Sequence, residues 1–180
     1  TREKKVIDRN TVPKPTNFYG DSKLQAEQGI IPLQDKEFKV VIIRPPMIYG
    51  KGSKGNFPKL VKLARVLPIF PDFDNQRSML HIDNLCQFIK LMIDNEEAGI
   101  FFPQNKEYVN TSQLVKNIAE AYGKNIKLVK LFNPIIYLTL GKINYVNKVF
   151  GNLVYRKELS EYKANYQIRS FKESIQLTVK

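Results

Sequence analysis

Four consecutive β-branched residues, Val40 to Ile43, are the feature that most limits what this chain can fold into. Such a run is typical of a parallel strand covered on both faces, because a half-exposed strand alternates polar and apolar side chains. A helical pattern from about residue 17 to 30 comes before it, and Pro45 and Pro46, which cannot continue a hydrogen-bond ladder, follow. A helix followed by a buried strand predicts an α/β fold with a parallel sheet, whose ligands gather outside the carboxyl ends of the strands.

The length and composition limit the class of protein. The 180 residues, 43% of them apolar, suffice for one core, so we expect one domain or one large piece of a domain. Because neither an apolar run of membrane length nor a charged leader is visible, a cytoplasmic location is expected. The single cysteine, Cys86, excludes an intrachain disulfide and is interpreted as core filler, and one histidine beside it leaves no metal site of the usual type.

The net charge of +12 is compatible with nucleic acid, anionic lipid or a phosphorylated ligand as a partner. The lysines are scattered along the chain and are not interleaved with arginine and aromatic residues as on an RNA-binding face. We therefore interpret most of the charge as solvated surface and expect no nucleic-acid partner.

Tyr19 and Lys23 are four residues apart and share one face of the first helical pattern. An ammonium beside a phenol favours the phenolate. The pair can then take a proton from a hydroxyl, or return it to a carbonyl oxygen, while hydride moves at the same carbon. Since many exposed helices carry a tyrosine and a lysine at this spacing, the pair alone is a weak signal.

The surrounding sequence strengthens that signal. The motifs are Tyr19-Gly20-Asp21-Ser22-Lys23, Arg44-Pro45-Pro46-Met47-Ile48-Tyr49-Gly50 and Gln76-Arg77-Ser78-Met79-Leu80-His81. Together they resemble the extended short-chain dehydrogenase/reductases, specifically the NAD(P)-dependent nucleotide-sugar epimerases, dehydratases and 4-ketoreductases. The resemblance implies the C-terminal part of a doubly wound, Rossmann-type parallel sheet together with a smaller mixed α/β substrate lobe.

The resemblance also implies a division of the chain. Residues 1–50 would form the end of the dinucleotide-binding domain, and residues 51–180 mainly the substrate-binding lobe, with segments that return to the sheet. Tyr19 would be the catalytic acid/base at the C4 oxygen of the sugar. Lys23 would be its catalytic partner and, with Tyr19, would hold the nicotinamide ribose of NAD or NADP.

Four further residues receive roles or alternatives. The resemblance implies that Pro46 and Ile48 contact the nicotinamide end of the cofactor. Asn56 is the candidate for hydrogen-bonding the nucleotide sugar, and the alternative is that it caps the helix expected from about 57 to 66. Arg77 is the candidate for a bidentate phosphate contact, and the alternative is an ordinary surface salt bridge.

Two later segments are interpreted as scaffold. His81 is expected to bond to backbone, with Asp83 or Asn84 capping the helix that follows. Residues 132–152 predict a helix packed on the substrate lobe, and the alternative is a surface helix that touches a membrane. For the protein as a whole, membrane contact is not expected.

No Gly-x-x-Gly-x-x-Gly turn precedes Tyr19, so we interpret the chain as the C-terminal portion of a longer protein whose glycine-rich half is absent. The implied partner is a nucleotide sugar, with UDP-N-acetylated hexoses of surface polysaccharide biosynthesis as the nearest subgroup. Epimerisation, keto reduction and dehydration stay open, as does a homodimer of the complete protein. The second hypothesis is a non-catalytic binding or assembly protein on the same scaffold.

Overall fold

A computed structural model describes residues 5–179 of the chain. The α-helices are α1 (Phe18–Ile30), α2 (Phe57–Val66), α3 (Ile82–Asp94), α4 (Thr111–Ala121), α5 (Asn133–Thr139), α6 (Asn144–Phe150) and α7 (Phe171–Val179). The strands are β1 (Lys5–Ile7), β2 (Val41–Ile43), β3 (Met47–Tyr49), β4 (Ile69–Pro71), β5 (Met79–His81), β6 (Gly99–Phe101), β7 (Lys127–Val129) and β8 (Leu153–Tyr155).

The strand pairs in this part of the chain are all parallel: β1 with β8, β2 with β6, β3 with β5 and β4 with β7. In these pairs Val41 lies opposite Gly99, and Met47 lies opposite Met79. Parallel partners need crossover connections, and the intervening helices supply them. The α/β class with parallel strands is therefore confirmed.

The largest hydrophobic core lies around α4, on which α2 and α7 pack. Its members from α4 are Leu114, Val115, Ile118 and Ala119. Their spacing of three and four residues places them on one face of the helix. The Asn110 side chain caps α4 by accepting a hydrogen bond from the Gln113 N–H at 3.0 Å, and the left-handed Gly123 (φ 70°) follows the helix end.

A second core joins α3 to β5 and to the C-terminal part of the chain. Its buried members are Leu80, Leu85, Phe88, Met92 and Tyr166. Half-buried Val41 and Ile43 of β2 pack against it. A third, smaller core holds α5 through Phe73, Ile136 and Leu140.

The buried side chain of Tyr49 connects separate segments of the chain. The Tyr49 hydroxyl is hydrogen-bonded to Ser174 Oγ at 2.5 Å and accepts a hydrogen bond from Asn105 Nδ2 at 2.9 Å. Burial raises the pKa of Tyr49 to about 12, so its hydroxyl is a neutral structural partner and not a proton donor or acceptor at neutral pH.

Two expectations about burial are wrong. Val41, Ile42 and Ile43 are half-buried and not covered on both faces, because an open groove adjoins β2 and all three residues line it. Cys86 is exposed and not core filler. It follows the buried Leu85, and one helical residue turns a side chain by about 100°, which carries the thiol off the apolar stripe.

Two expectations about helix ends are also wrong. The segment 132–152 forms the two short helices α5 and α6, broken near Gly141, whose φ of 90° no helix contains. The cap of α3 is His81, whose Nδ1 accepts a hydrogen bond from the Asp83 N–H at 3.3 Å. Asp83 instead accepts a hydrogen bond from Arg169 Nε at 2.9 Å.

None of the helices between residues 5 and 179 is long and apolar enough to cross a membrane.

Candidate active site

The predicted catalytic pair lies at the start of α1. Asn17 begins this helix, since its Oδ1 accepts a hydrogen bond from the Gly20 N–H at 2.8 Å. Tyr19 and Lys23 lie one turn apart, with Lys23 Nζ 5.7 Å from the centre of the Tyr19 ring. Both side chains are exposed, Tyr19 to 72%. Their shared face is confirmed, and their catalytic roles stay a prediction.

A groove of about 600 Å³ separates α1 from β2. Tyr19 and Lys23 line it from the helix, and Pro45, just after β2, lines it as well. α1 buries none of its own side chains. It is held near its C-terminal end by Arg44, whose guanidinium donates to both carboxylate oxygens of Glu27. The groove is therefore wide enough for a ring and a ribose beside the phenol and the ammonium.

Asn56 lies on a second cavity, a cleft between α2, α4 and α6. Gly52 and Gly55 adopt left-handed φ values of 73° and 92°, so the loop after β3 turns sharply into α2. Asn56 stands directly before α2 but makes no side-chain capping hydrogen bond. The alternative that its side chain caps the helix is therefore wrong, and its exposed amide lines the cleft.

Arg77 lines the same cleft, just before β5. Its Nη1 donates to the carbonyl oxygen of Gly151 at 3.0 Å, and burial lowers the pKa of Arg77. No ion pair joins it to a carboxylate within residues 5–179, so the surface salt bridge is wrong. A guanidinium has five N–H donors. When some of them bind carbonyl oxygens, the group keeps its charge, and the remaining donors can bind an anion.

Lysines complete the cleft. Lys59 of α2 and Lys148 of α6 line it together with Arg77, and no lining residue is acidic. Its free volume is about 20 Å³, room for about one water molecule. A larger ligand therefore requires movement of flexible side chains such as Lys59, Lys148 and Tyr145.

The groove and the cleft lie near each other at the turn between β2 and β3. Pro45 lines the groove and Met47 lines the cleft. Residues two apart in a chain are at most about 7 Å apart, so the two cavities approach each other here. Pro46 lies between them and is half-buried, whereas the Ile48 side chain packs against the α3 core. Cofactor contacts of Pro46 and Ile48 stay predictions.

Lys59, Tyr145 and Lys148 were not recognised as cleft residues from the sequence. Lys59 has no local feature that separates it from Lys62 one turn on, and only the packing of α2 distinguishes them. Tyr145 and Lys148 belong to α6, which the sequence did not separate from α5.

The residues of the groove are chemically compatible with NAD(P). The open groove offers a phenol and an ammonium, both of which can donate hydrogen bonds to the ribose hydroxyls of a nicotinamide riboside. No cluster of three or more His, Cys, Asp or Glu side chains in the described part of the chain could hold a metal ion.

Parallel α/β topology, with a Tyr-Lys helix beside a groove and a cationic cleft across the next turn, is typical of a Rossmann-type α/β protein. The profile of the NAD dependent epimerase/dehydratase family matches residues 2–109, more than half of the sequence, and the chain belongs to this family. The resemblance seen in the sequence is confirmed, and NAD(P) is the cofactor that the family implies.

Two curated relatives are nucleotide-sugar or lipid-linked sugar epimerases. UDP-glucose 4-epimerase of Vibrio cholerae is 34% identical over 152 residues, which cover 77% of this chain and 45% of that protein. N-acetyl-alpha-D-glucosaminyl-diphospho-ditrans,octacis-undecaprenol 4-epimerase of Escherichia coli O157:H7 is 30% identical over 151 residues, 80% of this chain and 46% of that protein. The chain thus spans a little under half the length of these relatives.

Solved structures agree on the fold. UDP-glucuronic acid 4-epimerase from Bacillus cereus, in complex with NAD, superposes with a TM-score of 0.68 at 14% identity, covering 98% of this chain and 55% of that one. UDP-glucose 4-epimerase from Thermus thermophilus, also with NAD, gives 0.64 at 19% identity, covering 97% and 57%. The predicted Rossmann-type fold class is confirmed.

Proposed function

We propose that the complete protein containing this chain is an NAD(P)-dependent enzyme that epimerises or reduces a diphosphate-linked sugar at C4. One observation carries the proposal: the groove of Tyr19 and the cleft of Arg77 adjoin the same turn, since Pro45 lines the first and Met47 the second. A sugar diphosphate spanning the turn would hold its phosphates against Arg77 and its reacting carbon near Tyr19. The names of the two curated relatives support 4-epimerisation in particular.

Each residue has a distinct role in this proposal. The Tyr19 phenolate takes the proton of the sugar's C4 hydroxyl and later returns it to the C4 carbonyl oxygen. The ammonium of Lys23 lies beside the Tyr19 ring and donates hydrogen bonds to a ribose. Bound NAD(P) supplies a hydride acceptor and donor at its nicotinamide ring. Tyr19 is exposed to solvent beside Lys23, so its hydroxyl can exchange a proton with a bound sugar.

The cleft residues hold the substrate and do not react. Arg77 presents unused N–H donors to a diphosphate, which charge-assisted hydrogen bonds favour. Lys59 and Lys148 add positive charge beside it, and the amide of Asn56 can bind a sugar hydroxyl or acetamido group. UDP-linked and polyprenol-linked sugars share the diphosphate that this cleft would recognise.

The test is Tyr19→Phe in the complete gene product. Because Tyr19 is exposed to 72%, the variant should fold as the parent does. Turnover of UDP-glucose, UDP-N-acetylglucosamine or undecaprenyl-diphosphate N-acetylglucosamine should fall by about 10²- to 10⁴-fold, the usual contribution of a general acid/base. Tyr122→Phe removes a hydroxyl from the end of α4, outside the groove, and is the matched control.

Three results would decide against the proposal. Near-normal turnover of Tyr19→Phe would remove the catalytic role of the pair. Unchanged UDP binding in Asn56→Ala and Arg77→Met would remove the role of the cleft. A parent protein that neither binds NAD(P) nor turns over any of these sugars would favour the non-catalytic binding protein.

A further inference from the structure

The segment from the short 3₁₀ turn at residues 130–132 to α6 exposes large apolar side chains. The five most exposed are Leu131 (79% exposed), Leu138 (68%), Ile135 (63%), Tyr145 (54%) and Ile143 (45%). The opposite side of α5 is buried, since Ile136 and Leu140 pack against Phe73. α5 contacts both the 3₁₀ turn and α6, so the elements that carry the five side chains adjoin one another. We call these five residues, with Lys130, Lys142 and Lys148, the apolar-basic face.

The charge of this region has one sign. Residues 121–157 contain seven lysine and arginine residues and no aspartate or glutamate. Lys130, Lys142 and Lys148 are exposed, and none of the three forms an ion pair with a carboxylate of residues 5–179. The face therefore combines bare hydrocarbon with uncompensated ammonium groups.

Exposed apolar side chains beside lysines indicate what kind of partner would cover this face. Amphipathic segments with apolar side chains and flanking lysines bind the headgroup region of anionic bilayers, through apolar burial and electrostatic attraction. A second copy of the chain would be a poor occupant, because a symmetric contact brings the same lysines against one another. Helices of seven residues are far too short to cross a bilayer, so they would lie on its surface.

The face is continuous with the cleft. Tyr145 and Lys148 belong to the face, and both also line the cleft that contains Arg77. A bilayer in contact with the face would therefore lie next to the opening of the cleft.

We propose that the apolar-basic face docks the protein on the surface of an anionic phospholipid bilayer, with Ile135 and Leu138 inserted among the headgroups and the lysines paired with lipid phosphates. This inference goes beyond the proposed function and does not rest on it, because it is read from exposure and charge alone.

The test is co-sedimentation of the complete gene product with two kinds of vesicle, phosphatidylcholine alone and a 3:1 mixture with phosphatidylglycerol. Binding should require phosphatidylglycerol and weaken as sodium chloride is raised, because the charges are screened. Lys142→Gln should weaken binding about fivefold, as expected for one lysine at an anionic surface. Ile135→Ser with Leu138→Ser should weaken it at least about tenfold through lost apolar burial.

Ile93→Ser is the matched control, because Ile93 is exposed to 71% on α3, outside the face, and should leave binding unchanged. All these side chains are exposed, and circular dichroism would verify that each variant folds. Three results would overturn the proposal: no binding to either vesicle, equal weakening by Ile93→Ser, or a dimer in sedimentation velocity that Ile135→Ser with Leu138→Ser abolishes. The third result would assign the face to a second copy.

Discussion

α1 and α4 are helices of similar length, but they differ in how much of their surface is buried. α4 buries six of its side chains and lies at the centre of the largest core. α1 buries none of its side chains and leaves Phe18 exposed to 88%. Its Glu27 accepts a hydrogen bond from Arg44, which attaches the helix to the residue after β2. Each helix serves one half of the proposed site, since α1 carries Tyr19 and Lys23 and α4 lines the cleft.

The two halves of the proposed site are therefore held in place by different kinds of contact. The cleft is built on packed side chains, so its geometry should survive most surface changes. The Tyr-Lys pair depends on a capped but unpacked helix, and its position relative to the turn at Pro45 rests on few contacts. Segments with little burial open at low free-energy cost.

The sharpest test of this comparison is a matched pair of truncations. Ile118→Ala removes a fully buried side chain of α4 and should lower the free energy of unfolding by about 2–5 kcal/mol. Phe18→Ala removes a larger but exposed side chain of α1 and should change it by no more than about 0.5 kcal/mol. Urea denaturation measures both, and equal losses would show that α1 is packed in solution.

Acidification should weaken the packed region through His81, the only histidine. Burial lowers the pKa of His81, with Asp83 raising it and Arg169 lowering it by smaller amounts. The unfolded chain therefore takes up the proton first, near pH 6.5, and stability falls from that pH down to the folded pKa. Below the folded pKa both states are protonated and the loss stops.

The slope of this loss is at most about 1.4 kcal/mol per pH unit for one proton. Thermal unfolding between pH 7.5 and 5 measures it, in citrate-phosphate buffer of constant ionic strength. His81→Asn keeps a capping side chain but cannot titrate, so its stability should be flatter over this range. If the stability of the variant fell as steeply with pH as that of the parent, the pH dependence would come from other groups.

The smallest expected effect lies in α1. Asn17→Ala removes the capping hydrogen bond to the Gly20 N–H and should cost the helix about 1 kcal/mol. Hydrogen exchange at the amides of α1 should then accelerate by about fivefold, while exchange in α4 stays unchanged. Faster exchange in both helices would mean that they open as one unit.

The sequence predicted those features that local signals determine. α2 was expected from residue 57 to 66 and occupies Phe57–Val66, because a glycine loop, a proline in the first turn and helical periodicity mark both ends. α1 was expected from about residue 17 to 30 and occupies Phe18–Ile30, directly after its capping residue Asn17. The pairing of Tyr19 with Lys23 follows from helical geometry alone.

Features that depend on distant partners were not predictable. His81 caps α3, and Asp83 does not, because Arg169 from another part of the chain engages its carboxylate. β2 has the composition of a fully covered strand, but coverage depends on neighbours that no local pattern specifies. Lys148 lines the cleft because the helical segment is interrupted near Gly141, which places α6 beside Arg77. The scattered lysines of the sequence do not indicate this position.

Arg77 links separate parts of the chain, which has a thermodynamic consequence. Its backbone exchanges hydrogen bonds with Val109 at 2.9 and 2.8 Å, and its guanidinium donates to Gly151. A ligand held by Arg77 therefore binds a junction of three segments that come together only in the folded protein. By linkage, such a ligand at one hundred times its dissociation constant stabilises the fold by about 2.7 kcal/mol. Occupancy of the cleft would then be coupled to the fraction of the protein that is folded.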